Sequence, residues 1–270
     1  MMVPMPVSET NPSKPSGKIA RTVAVTSGKG GVGKTFFSAN LATSLSRQGL
    51  KVLVLDADLG LANLDVVLNL YPKITLHDVF TGKAQLDEAI LPAPGGFHVL
   101  LAGSGLVEYS RLTPEVREKL LDIFEAVKPR FDVIIIDTGA GISDVVLYAV
   151  SMATEVIVVA TPEPTSMTDA YATIKVLAAQ QSREKLNLVV NQVARPGDGR
   201  TICQQLQQVV DRFVVSPSGV VPKLQFLGDI PFDPCVREAV RKRQLLLELH
   251  PGSGAALGVN QVAVRLLGRA

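Results

Sequence analysis

The sequence predicts an α/β fold, a mostly parallel sheet covered by helices on both faces. Three observations carry that expectation. Predominantly apolar, strand-length runs at residues 51–55, 131–136 and 155–160, with Lys51, Asp132 and Glu155 confined to their starts, alternate with amphipathic stretches such as residues 114–128 and 166–180. A strand with no polar face needs cover on both sides, and helical crossovers of right-handed type supply it. A glycine-rich loop, residues 28–35, lies between the apolar, β-branched run 21–26 and a helix-like stretch 35–47 that Gly49 stops. Carboxylates follow directly on two of the apolar runs, Asp56 and Asp58 on the first and Asp137 on the second. That is the sheet edge at which open α/β folds bind ligands.

The loop reads Gly28-Lys29-Gly30-Gly31-Val32-Gly33-Lys34-Thr35 and satisfies G-x-x-x-x-G-K-[ST]. Backbone N–H groups unobstructed by side chains converge there on phosphate oxygens, and the following helix points its positive end at the same anion. Lys34 is placed to neutralise the β- and γ-phosphates, and Thr35 to offer its hydroxyl to Mg²⁺. Residues 28–35 are therefore expected to cradle a nucleotide.

Residues 1–18, rich in Pro, Ser and Asn and without periodicity, read as a flexible arm, and residues 19–270 as one P-loop domain with no internal repeat. Further strands are expected over residues 97–101, 186–190 and 226–230, and helices over 75–80, 86–91, 202–213, 236–249 and 255–267. The formal net charge of +2 argues against binding a polyanion by bulk charge. Cys203 and Cys235, the two cysteines, form no C-x-x-C pair, so buried free thiols in a reducing cytosol are expected. No basic segment followed by an apolar one opens the chain, and its apolar runs are too short to span a bilayer; a cytoplasmic protein is expected.

Asp137, after an uninterrupted apolar strand, has the setting of an aspartate that holds Mg²⁺ through its water shell. Gly139 and Gly141 just beyond it would let the backbone swing as a switch loop. Asp56 and Asp58 are expected to divide the work from opposite faces of their strand end, Asp56 toward the metal and Asp58 toward the attacking water. Lys29, with glycines on both sides, has room to project away from its own nucleotide. A second cation near phosphates is what stabilises charge in phosphoryl transfer, in cis or from a partner molecule.

The run KGGVGKT, with Lys29 as well as Lys34, resembles the deviant phosphate loop of the MinD/ParA group of P-loop ATPases. Residues 56–70, 137–143, 161–175 and 228–244 are similar to the FlhG/FleN family, MinD-like regulators of flagellar number and placement, and the resemblance covers roughly residues 20–268. It implies a slow, partner-regulated Mg-ATPase that forms an ATP-dependent homodimer, with Lys29 reaching the phosphates bound in the other subunit. It also implies partners among the flagellar GTPase FlhF, flagellar switch proteins and a flagellar transcription activator. Asn191, Pro231 and Asp233 would frame adenine. Read alone, Asn191 fits either a base contact or a turn cap. No N-K-x-D guanine signature follows it, which favours ATP.

Two features depart from the family pattern. The N-terminal D-Q-A-x-x-L-type motif that stimulates FlhF has no counterpart between Met1 and Lys18, and the chain stops at Ala270 without a membrane-targeting helix after the core. The apolar residues 259–267 are expected to pack on the sheet, leaving membrane contact weak or indirect. Arg237, Arg241, Lys242 and Arg243 read as a solvated face and no nucleic-acid partner is expected; His77, His98 and His250 have no ligand spacing. The rival functions are a MinD-type division-site regulator, a ParA-type partition ATPase, which needs a continuous basic surface, and an iron–sulfur carrier, which needs paired cysteines.

Overall fold

The computed structural model describes residues 20–58, 63–103 and 112–268, so the expected arm over residues 1–18 lies outside it. The elements in chain order are β1 (Arg21–Ser27), α1 (Lys34–Ser46), β2 (Val52–Ala57), α2 (Leu64–Leu68), α3 (Leu76–Phe80), α4 (Leu86–Ala89), β3 (Ile90–Pro92) and β4 (His98–Leu100). There follow α5 (Pro114–Val127), β5 (Val133–Ala140), α6 (Asp144–Ser151), β6 (Glu155–Ala160), α7 (Pro164–Gln181), β7 (Lys185–Val193) and α8 (Asp198–Phe213). The chain closes with β8 (Lys223–Pro231), α9 (Pro234–Lys242), α10 (Leu246–Leu249) and α11 (Gly254–Leu266).

The strands form one sheet in the order β3-β4-β2-β5-β1-β6-β7-β8, parallel except where β3 runs against β4. Alternation along the central strands explains why they are apolar throughout. Val23 and Val25, Val52 and Val54, and Val133 and Ile135 enter the core layer that contains α1, α10 and α11. The intervening Ala24, Leu53, Leu55, Ile134 and Ile136 enter the opposite layer, under α5, α6, α7 and α8. Successive side chains of a strand point to opposite faces, so a strand between two helical layers has no position to spare for a polar group until it ends.

α1 shows how fully the centre is enclosed. It is not amphipathic, because it lies between the sheet and α11, and even Ser38, Asn40 and Thr43 are fully buried. Buried polar side chains of α1 are hydrogen-bonded: Asn40 accepts from the Leu247 N–H, Thr43 donates to the Ala39 carbonyl, and Ser44 donates to Asn260 of α11. Val259, Val262, Ala263 and Leu266 of α11 are buried in that layer, so the apolar C-terminal segment packs on the fold as expected. Among the described residues no helix is long and apolar enough to cross a membrane.

Three elements differ from the expected ones. The helix foreseen over 86–91 stops at Ala89, and Ile90–Pro92 pairs antiparallel with β4 at the sheet edge, where a proline costs no ladder bond. The helix foreseen over 236–249 is broken at Arg243, whose left-handed backbone (φ 51°) closes α9 through N–H bonds back to Val240 and, from Gln244, to Ala239. α6 was not foreseen; Ser143 caps it by accepting from the Val146 N–H.

Candidate nucleotide site

β1 delivers the loop at the middle of the sheet. Gly33 stands at the helix start with φ 93° and offers no side-chain cap, so the first N–H groups of α1 stay available to an anion. Two glycines of the loop are there for space. A Cβ on Gly28 would come 2.2 Å from the Asp169 carbonyl oxygen of α7, and one on Gly33 would come 2.6 Å from the Asn191 amide nitrogen. The loop is tied from outside by the Asn191 side chain, which donates to the Val32 carbonyl (2.8 Å), and by the Ser27 hydroxyl, which donates to the Lys29 carbonyl (2.7 Å).

Lys34, Thr35, Asp56, Asp58 and Asp137 come together on the α1 side of the sheet. Asp56 and Asp137 are register partners on the adjacent strands β2 and β5, and each is 1% exposed. Ser38 of α1 donates to Asp137 (2.8 Å), and Thr35 is hydrogen-bonded to it as well. Burial pushes the Asp137 carboxyl up to about 6, against the hydrogen bonds of Thr35 and Ser38 and the charge of Lys34. Burial, then the neighbouring Asp137, holds Asp56 well above the usual carboxylate range, and its Oδ2 has no hydrogen-bond partner among the described residues. Lys34, 8% exposed, has its pKa lowered by burial, against the pull of Asp137 and Asp58.

Asp56 and Asp58 do not point to opposite faces as expected. Residues two apart share a face of a strand, and here β2 ends at Ala57 with the Asp58 N–H donating to Asp56 Oδ1 (3.2 Å). Asp58 also lies against the β5 end, where a Cβ on Gly139 would come 3.4 Å from its Oδ1. Gly141 beyond it has φ 89° and donates its N–H to the Ser27 carbonyl (2.8 Å), which fastens the foreseen switch segment to β1.

This cluster tests the implied metal. Two buried carboxylates, a threonine hydroxyl and an unpaired carboxylate oxygen are hard oxygen donors suited to Mg²⁺. Among the described residues no group of three His, Cys, Asp or Glu forms a metal cage. The residues fit the group.

Lys29 is elsewhere. Its ammonium is bound to Glu163 Oε2 (2.8 Å) and the Thr165 hydroxyl (2.9 Å) on the outer side of the loop, and its side chain is 38% exposed. Beside the loop on the other side, a cleft of about 470 Å³ is lined by Phe36, Asn191, Pro231, Phe232, Asp233 and Arg237, among others. The three adenine candidates line it, but two have their polar atoms engaged. Asn191 bonds Val32 through its nitrogen and accepts from the Gln192 N–H (2.9 Å). Asp233 accepts from the Cys235 N–H (2.9 Å) and the Ala255 N–H (3.1 Å), capping α9 and tying it to α11.

A family model described as ParA, an NUBPL iron-transfer P-loop NTPase, matches residues 18–267. The chain belongs to the ParA/MinD family of P-loop ATPases. It is 42% identical over 246 residues to the antiactivator FleN of Pseudomonas aeruginosa, covering 91% of this chain and 86% of that one. It is 35% identical over 249 residues to the flagellum site-determining protein YlxH of Helicobacter pylori, covering 92% and 82%. Among solved structures it resembles the Mg-ADP complex of MinD from Pyrococcus horikoshii, with TM-score 0.75 and 29% identity over 92% of this chain and 96% of that one. The FlhG/FleN resemblance and the mostly parallel sheet are both borne out.

For a ParA/MinD-family ATPase, sequence reasoning assigns no role to Ser38, Glu163, Thr165 or Gln192. Ser38 carried a usable signal, standing one turn after Lys34 on the same helix face. Glu163 lay within the segment 161–175 used for the resemblance, but its contact with Lys29 joins residues 134 apart and no local pattern encodes that.

Proposed function

We propose that this ATPase is a Mg-ATP-dependent dimerising switch that governs flagellar number or placement. The observation that carries the reading is the separation of the two loop lysines. Lys34 is buried among the carboxylates and would serve the nucleotide of its own subunit, whereas the Lys29 side chain lies on the outer side of the loop against an exposed glutamate, from which it could reach a second copy. ATP held by residues 28–35 would bring the copies together, and Lys29 would reach across to the partner's phosphates. Asp58 would orient the attacking water, while Thr35, Asp56 and Asp137 would hold Mg²⁺, which neutralises charge developing on the phosphates. Pro231 and Phe232 would flank adenine, with Asn191 positioning the loop.

The flagellar assignment rests on the likeness to FleN and YlxH, which their names describe as an antiactivator and a flagellum site-determining protein. FlhF, switch proteins and a transcription activator of flagellar genes are the partners to test, with the protein working in the cytoplasm. The cysteines favour a switch over an iron carrier: Cys203 is buried in α8, and Cys235 stands apart at the start of α9.

Size-exclusion chromatography with and without ATP, run beside phosphate release, tests the mechanism. Lys29→Ala is expected to lose the ATP-dependent dimer, and Asp58→Ala to keep the dimer while turnover falls by about 100-fold or more. Unchanged dimerisation and turnover in Lys29→Ala would refute the switch. Flagellar counts in cells carrying Lys29→Ala test the biological role.

A further inference from the structure

We propose that Gln192 passes the filling of the base cleft to Lys29, so that the base, and not the phosphates alone, licenses dimerisation. This rests on the dimer switch proposed above. On the outer side of the loop a smaller pocket of about 230 Å³ is lined by Lys29, Thr161, Glu163 and Gln192 with loop backbone. Among the described residues, Gln192 alone lines both this pocket and the base cleft. It stands on the wall between them.

Three further observations single it out. Its backbone is left-handed (φ 61°), a conformation a residue with a Cβ rarely adopts and one that concentrates at switches and ligand clamps. The other amide of the cleft, Asn191, is committed to Val32 and to Gln192's own N–H, whereas the exposed Gln192 side chain makes no hydrogen bond among the described residues. On the outer pocket, the Thr161 hydroxyl is buried (4% exposed) and has no hydrogen-bond partner among the described residues, beside a Glu163 carboxylate that holds Lys29.

These groups fit an exchange. A base entering the cleft occupies space beside Gln192 and turns its side chain toward the outer pocket. There the amide nitrogen donates to the Glu163 carboxylate and the amide oxygen accepts from the Thr161 hydroxyl. Glu163 then has a neutral donor in place of the Lys29 ammonium, and Lys29 is released to the other subunit. An exposed ion pair is weak enough for a neutral hydrogen bond to replace it.

The test compares Gln192→Gly, which suits the left-handed backbone, with Gln192→Leu, which keeps bulk without the amide; thermal unfolding confirms that each is folded. Wild-type protein is expected to dimerise with Mg-ATP and to stay monomeric with Mg-tripolyphosphate, which has no base. In both variants the ATP needed for half-dimerisation should rise about ten-fold, while ATP affinity falls about three-fold or less. Adding Glu163→Gln, which loosens Lys29 directly, should restore dimerisation in both and let tripolyphosphate dimerise the protein. Wild-type ATP dependence in the Gln192 variants, or no rescue by Glu163→Gln, would overturn the inference. Loss of dimers in Lys29→Ala combined with normal Gln192 variants would sink the coupling and leave the switch standing; normal dimers in Lys29→Ala would sink the switch itself.

Discussion

The inner and outer faces of one loop hold a lysine each, and the two faces are built on different terms. On the inner face Lys34 is buried among Asp58, Asp137 and, behind them, Asp56, with burial setting the direction of every shifted pKa. On the outer face Lys29 and Glu163 pair in solvent, 38% and 64% exposed. Buried charges are expensive to hold and strong once a ligand compensates them, whereas exposed pairs cost and yield little. The inner face therefore stores affinity, and the outer face is cheap to rearrange. If the outer face is the switch proposed above, binding and switching share eight residues because the two faces differ in solvent access.

Lys34→Ala should produce the largest effect. It removes the buried cation beside Asp58 and Asp137, so Mg-ATP binding and phosphate release should both fall by about 100-fold or more. Calorimetric titration and phosphate release measure the two. Lys29→Ala, in contrast, should bind ATP as a monomer nearly as well as wild type. If both variants lost monomeric ATP binding equally, the division between the faces would be broken.

Asp137→Asn sharpens the energetic half of the comparison. The Asp137 carboxyl sits at about 6 in the fold against an ordinary 3.8, so the fold holds that proton more tightly than the unfolded chain does. The group's stabilising contribution is thus fully present below about pH 4 and is lost as pH rises through 6. The displacement corresponds to on the order of 3 kcal/mol. At pH 7.5, without Mg²⁺ or nucleotide, Asp137→Asn should melt roughly 5–10 °C above wild type, with the gap narrowing toward pH 5, while Mg-dependent turnover is lost. Thermal melts across that range decide it. A variant that melts lower at pH 7.5 would mean that Asp137 is held by Lys34, Thr35 and Ser38 more strongly than burial opposes it.

The same contrast in solvent access explains what could be read from the sequence. The inner face is local: Gly28, Gly33, Lys34 and Thr35 are contiguous, and Asp56 and Asp137 announce themselves as the first charges after apolar runs. The mostly parallel sheet was legible for the same reason, since β2, β5 and β6 have no polar face. The strand-end geometry was misjudged at Asp56 and Asp58, where residues two apart had to share a face. The outer face was legible only as room for Lys29. Its partners come from the β6–α7 turn and the end of β7, brought in by sheet order, and the left-handed backbone of Gln192 follows no glycine or asparagine signal. Asp233, which the resemblance implies beside adenine, accepts from the N–H groups of Cys235 and Ala255, because α9 and α11 both begin beside it.

The smallest effect should come from Glu163→Gln, and it bears most directly on the outer face. The substitution keeps shape and hydrogen-bonding capacity but removes the charge that holds Lys29 (2.8 Å). An exposed pair of this kind contributes about 0–1 kcal/mol, so the melting temperature should hardly move. If Lys29 must leave Glu163 before it can cross to a second copy, loosening it removes a cost from dimerisation alone. The ATP needed for half-dimerisation should then fall a few-fold, while ATP affinity measured on monomers stays at the wild-type value. Sedimentation across an ATP series separates the two quantities. A rise in the ATP requirement would reverse the sign: Glu163 would then be guiding Lys29 into the dimer, and the outer face would be part of the assembled site.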